Sequence, residues 1–214
     1  MLNDFGDKRE QLLAELQGEK AYGIFLAVQM GGVPQELQLM VQTATFDEQA
    51  QGLRPRNQYV VRALGVVEHR LSLGIFGNLF FTEEHPVLFH YNLPRSVIQF
   101  DGQPDDVNEL VLDINQAYLS TFGPWRELAK DLNREQPLVN LLQSGKGVLG
   151  TMPQPGAERM LRVLAHHGVQ GHLEENRLYE DEDEHGRSRN MKLLGIDDSY
   201  FIALDFTVDE LGKT

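Results

Sequence analysis

The spacing of apolar positions along this chain changes period twice, and each change marks a change of element. Helical spacing comes first: Phe5, Leu12, Leu13 and Leu16 share one face over residues 4–17, and Gly18 stops it. Strict alternation follows. Residues 21–30 and 36–46 flank Gly31-Gly32, a pair that can supply the positive φ of a tight hairpin, while Pro34 loosens pairing there. Leu37, Leu39 and Val41 alternate with Gln38 and Gln42, as in an antiparallel strand with one face buried. After a polar link over 47–55, residues 57–76 are too long for one straight strand, and Gly65 predicts a bend. Gly77-Asn78, set between 73–76 and 79–81, predicts a second tight hairpin. Strands over 86–91 and 95–100 complete a set of five or six, and their short connections imply an antiparallel meander.

The helical period returns at 104–122. Val107, Leu110, Val111, Ile114, Ala117, Tyr118 and Phe122 recur at i, i+3, i+4 and i+7, with Asp105 and Asp106 at the positive end of the dipole. Gly123-Pro124 ends this helix, and a shorter one follows over 125–132; the pair is expected to cover the open face of the meander. Beyond Asn133 the texture changes. A helical turn or two over 138–143, a Gly/Pro-rich linker over 145–156 and a helix over 157–167 closed by Gly168 are expected. Residues 172–179 and 189–195 read as two strands around an acidic loop, and 199–208 as a last strand. The fold class is therefore α+β: an antiparallel β-meander backed by helices over 1–133, with a smaller C-terminal helix-plus-hairpin portion over 134–214.

Composition narrows the function classes. With 41% hydrophobic and 24% charged residues, the chain can bury a core without disulfides or a metal, and it has no cysteine to supply either thiolate chemistry or disulfides. A net charge of −13 repels phosphate backbones and anionic lipid, so neither nucleic acid nor membrane is an expected partner. That charge also counts against a winged-helix reading of 157–167 and the strands after it. No basic stretch followed by an apolar one opens the sequence, and the expected location is cytoplasmic.

Candidate chemistry is sparse. Gly145-Lys146-Gly147-Val148-Leu149-Gly150-Thr151 spells G-x-G-x-x-G, but a helical segment precedes it and Pro153 and Pro155 follow, so a linker is the plainer reading. His166, His167 and His172, near Glu174 and Glu175, form the densest set of potential metal ligands. Adjacent helical residues face different directions, however, and neither a metal nor a cofactor is expected. His69 lies on the apolar side of its strand and reads as a core histidine. Five consecutive acidic residues over 180–184 read as a solvated hairpin loop. Neither G-x-S-x-G nor H-E-x-x-H occurs.

The strongest signal is the crowding of Phe76, Phe80, Phe81 and Phe89 with Leu73, Ile75, Leu79 and Leu88. Side chains alternate faces along a strand, so either both faces of this hairpin are covered or one meets a partner. The functional expectation is a non-catalytic binding or regulatory protein, an adaptor or chaperone-like module. Its contact surface would be the Phe-rich hairpin, and its partner another protein or a second copy in a homodimer. The alternative is an enzyme, possibly hydrolytic, using His69, His90 or the 166–172 histidines with carboxylates.

Overall fold

In the computed structural model, residues 8–176 and 189–213 are described. In chain order they form α1 (Arg9–Leu16), β1 (Ala21–Met30), β2 (Leu37–Asp47), β3 (Gly52–Leu64), β4 (Glu68–Arg70), β5 (Ile75–Phe76) and β6 (Leu79–Thr82). A short α2 (Phe89–Asn92), β7 (Arg95–Asp101), α3 (Val107–Phe122), α4 (Leu138–Gln143), β8 (Lys146–Pro153), α5 (Gln154–His166) and β9 (Gln170–Asn176) follow. The chain closes with β10 (Lys192–Ile196), β11 (Ser199–Ala203) and β12 (Asp205–Lys213). All sheet pairings are antiparallel, so the α+β class holds.

The chain divides into two compact units, and not at Asn133. Met1–Glu84 with Asn190–Thr214 form the first, and His85–Arg189 the second. The reason is topological. β10 returns to pair with β6, Leu194 opposite Phe81, and β12 returns to pair with β3, Val208 opposite Val61. The second unit is thus an insertion between two neighbouring strands. A division read along the sequence misses such a long-range return, because nothing local announces it.

In the first unit, β1, β2 and β3 form the expected meander, flanked by β12 and β5 in the order β12-β3-β2-β1-β5. Leu39, Val41, Tyr59, Val61, Phe206 and Val208 point to one face, as the alternation required. They share a core with Leu12 and Leu16 of α1 and with Leu194 and Phe201 of a second sheet, ordered β4-β11-β10-β6. Each fully buried side chain of this size contributes about 1.5–3 kcal/mol. Gly65, at φ 65°, makes the expected bend after β3. At the β1–β2 connection the left-handed residue is Gln35 (φ 61°), so the turn is longer than a two-glycine hairpin. The expected hairpin at Gly77-Asn78 does not form: β5 pairs with β1 and β6 with β10, so the turn leads from one sheet to the other. The Asp197 carboxylate fixes it by accepting from the Gly77 and Asn78 amides (2.9 and 3.0 Å).

In the second unit, β7 is central in the order β8-β7-β9. The stretch expected to be a linker is strand β8, and 172–176 pairs with β7 instead of closing a hairpin. The same pairing removes the wing of a winged helix. α3 starts at Val107 and not at 104, and Asp106 caps it, its carboxylate accepting from the Asn108 and Glu109 amides. The apolar stripe of α3 packs with α5 and the sheet, around Ile114, Phe122, Leu149, Met160 and Leu164. Residues 86–88 and 128–130 are single 3-10 turns where a strand and a helix were expected. The acidic run over 180–184 lies outside the described residues.

Candidate functional site

The second unit is organised around one carboxylate. Pro86 starts a 3-10 turn that His85 caps, its Nδ1 accepting from the Val87 amide (3.2 Å), and α2 then presents His90 inward. Asp131 sits at the end of the 128–130 turn, with its side chain fully buried. Asp131 Oδ2 accepts from His90 Nε2 (2.6 Å) and from the Tyr118 hydroxyl (2.7 Å). Oδ1 accepts from Arg95 Nη2 (3.0 Å), and Arg126 Nε stands 3.8 Å from Oδ2. Burial by itself would raise the Asp131 pKa, yet the bonds from His90 and Tyr118 and the nearby Arg126 hold it below the usual carboxylate range. Burial lowers the pKa of His90 despite its acidic partner, so at neutral pH it is the neutral imidazole with its proton on Nε2. Its Nδ1 has no hydrogen-bond partner among the described residues, and the ring packs 4.8 Å from Phe122. Burial, then the bond to Asp131, pushes the Tyr118 hydroxyl upward.

Backbone contacts carry this arrangement to the edge of the sheet. Asp131 O accepts from the Thr151 amide (2.8 Å), Leu132 bridges to Gly150, and Leu149 O accepts from the Asn133 amide (2.9 Å). Gly150 is required here, because a Cβ at that position would lie 2.2 Å from Asp131 O. Beside this junction an open cleft of about 600 Å³ is lined by Arg95, Lys130, Asn133, Lys146, Gly147 and Thr151, among others. Arg95 forms its wall, with Nη2 also donating to Thr151 O. The G-x-G-x-x-G stretch therefore does line a cleft, as a strand and not as a linker.

The other histidines are dispersed. His69 is exposed and stacks on Phe201 (6.0 Å), a correction to its reading as a core residue: the chain twists after Gly65 and β4 lies at a sheet edge. His167 Nε2 pairs with Asp113 Oδ2 at 2.9 Å, and His166 lines a groove with Asp113, Ser120, Arg159 and Arg162. His172 lines a separate cavity with Asp101. Among the described residues no three His, Asp or Glu side chains gather as metal ligands.

The four phenylalanines do not share a surface. Phe76 is core, 5.2 Å from Phe25. Phe80 is half-buried over Gly195, and Phe81 is half-buried against Phe206, with the Arg9 guanidinium 4.5 Å above its ring. Phe89 belongs to the second unit and packs toward Phe122.

The first unit offers an apolar sheet edge instead. β5 covers β1 only at Gly23 and Ile24, and one further bond, Phe25 N–H to Gly74 O, brings Leu73 level with Leu26. Leu26, Leu73 and Ile75 are exposed by 43, 69 and 61%. Among the described residues no strand pairs with Leu26–Met30 on that side. Neither 21–30 nor 71–78 contains a charged residue.

Asp131, Tyr118, Arg95 and Arg126 escaped the sequence reading because they are far apart in the chain and follow no motif spacing. A carboxylate between Leu128 and Leu132 is the one local signal that Asp131 points inward. No family model matches the chain, and neither a curated protein nor a solved structure matches it. No helix among the described residues is long and apolar enough to cross a membrane.

Proposed function

We propose that this chain is a non-catalytic binding protein that pairs with a second copy of itself along the free edge of β1. The observation that carries the reading is an uncharged, apolar strand edge in a chain of net charge −13. Exposed edges are normally guarded by charges, prolines, bulges or a covering element; a bulge falls at Leu26, but Ala27–Met30 carries no charge, proline or covering strand among the described residues. Two strongly acidic bodies meet at least cost through a strip that carries no charge. Antiparallel pairing of Ala27–Met30 with its own copy also brings the exposed Met30 and Val33 of one copy toward the Leu73 of the other. The contact surface is then Leu26, Leu73 and Ile75, not the buried Phe76.

Sedimentation velocity tests this reading. The expected result is a dimer that Leu26→Lys with Leu73→Lys converts to monomer while leaving the circular dichroism spectrum unchanged. A wild-type chain that stays monomeric at about 100 μM, where even a weak interface with a Kd of tens of micromolar is mostly filled, overturns it. The enzyme alternative is served less well. Of the two histidine–carboxylate pairs among the described residues, His90–Asp131 has side chains exposed by 1 and 0%, out of a substrate's reach, and in His167–Asp113 the histidine is itself exposed by only 8%.

A further inference from the structure

The cleft of the second unit is independent of the sheet edge and has a chemistry of its own. In a chain with 32 acidic and 19 basic residues, its lining gathers Arg95, Lys130 and Lys146. Two carboxylates accompany them. That of Asp131 is turned inward and satisfied by its own donors, which leaves Glu135 as the acidic side chain facing the cleft. Among the described residues neither Lys130 nor Lys146 makes an ion pair. Arg95 is held from one side only. Its Nη2 makes its hydrogen bonds to Asp131 and Thr151, while its Nε is buried with no acceptor. A guanidinium clamped by a buried carboxylate keeps a fixed direction and retains donors for a second anion.

We propose that this cleft binds a small phosphate monoester, its phosphoryl group placed between Arg95, Lys130 and Lys146. A monoester carries close to two negative charges at neutral pH, which suits two unpaired ammonium groups beside an arginine that is already half neutralised. A volume of about 600 Å³ exceeds what a bare phosphate fills and lies in the range of small-molecule sites. Asp131 acts here as a positioning residue, since it aims Arg95 and does not touch the ligand.

Calorimetric titration of the full chain with glycerol 3-phosphate, inorganic phosphate and succinate at low ionic strength tests the proposal. Glycerol 3-phosphate is expected to bind most tightly, and Lys130→Gln with Lys146→Gln to weaken it at least about tenfold, or 1.4 kcal/mol. That double variant leaves the buried carboxylate and its donors untouched, so a loss of fold does not explain the result. Arg159→Gln with Arg162→Gln, in the other groove, is expected to change nothing. Equal affinity in the lysine variant overturns the site. Inorganic phosphate or succinate binding as tightly as the monoester overturns the ligand class. Neither result bears on the dimer.

Discussion

Glu15 in the first unit and Asp131 in the second both tie distant segments together, and they do it with opposite donor sets. Glu15 projects from α1, half-buried, and accepts from three neutral groups: the Thr43 hydroxyl, the Asn57 amide and the Tyr59 hydroxyl (2.8 Å). Asp131 is fully buried and adds Arg95, with Arg126 close by, to His90 and Tyr118. Water still reaches a half-buried carboxylate, so neutral donors, with the charge of Arg56 adding to them, keep it ionised. A carboxylate removed from water needs positive charge nearby, and its partners in turn depend on it. The difference predicts that the second unit is the more brittle of the two.

The largest effect is expected from Asp131→Ala, which strands a buried imidazole N–H, a phenol and a guanidinium at once. Breaking a buried charged network of this kind costs about 3–5 kcal/mol. Hydrogen exchange followed by mass spectrometry should show the loss across His85–Arg189 and little change in the first unit. Uniform loss over both units would break the comparison. Next comes Gly150→Ala. Its Cβ meets backbone and not a flexible side chain, so the 131–133 segment must move off β8 at a cost of about 1–3 kcal/mol. A urea midpoint unchanged from wild type would mean that the junction is looser than its distances indicate.

The parts of this fold that were legible in the sequence are those with a local period. The meander β1–β3, the stripe of α3, the bend at Gly65 and the inward Leu39 and Val41 follow from alternation or helical spacing alone. What was not legible depends on contacts between distant residues. β8 looked like a linker because its two glycines and Pro153 belong to types depleted in strands, yet Gly150 is there to let the backbone of Asp131 approach. Gly77-Asn78 had the composition of a hairpin turn, but Asp197, some 120 residues away, decides its shape. Of the candidate site, His90 was named without its partner, and the partner was invisible because a buried network has no spacing rule.

Acid separates the units by where each begins to weaken. Burial depresses His90, and likewise His85, so below about pH 6.5 the unfolded chain takes up protons that the folded second unit refuses. Stability from these histidines is complete above that pH and falls as the pH drops toward their folded values. The slope is at most about 1.4 kcal/mol per pH unit for His90, which faces Asp131, Tyr118, Arg95 and Arg126. Asp131 and Glu15 are both depressed as well, so their contributions persist until the pH falls into the carboxylate range. Protection factors, in which the intrinsic pH dependence of exchange is divided out, should fall first in His85–Arg189 as the pH is lowered from 8 to 5. Simultaneous weakening of both units would remove the histidines from the account.

The smallest effect separates the two carboxylates most cleanly. Glu15→Gln preserves the shape of the side chain and one acceptor oxygen, so at least one of Thr43, Asn57 and Tyr59 keeps its bond. The loss expected is that of a partly exposed hydrogen-bond network and not of a charge, about 0.5–1 kcal/mol at pH 7. Burial raises the Glu15 pKa less than its three hydrogen bonds and the charge of Arg56 together lower it, and its stabilisation is therefore present at neutral pH and is lost as the pH falls through the carboxylate range. The glutamine variant and the wild type should converge in urea midpoint as the pH is lowered through that range, a convergence that neutral donors require. A deficit that stays constant into acid would mean that Glu15 acts through its packing on the sheet. A loss as large as that of Asp131→Ala would mean that water does not reach it, and the contrast between the two units would have to be redrawn around shape instead of burial.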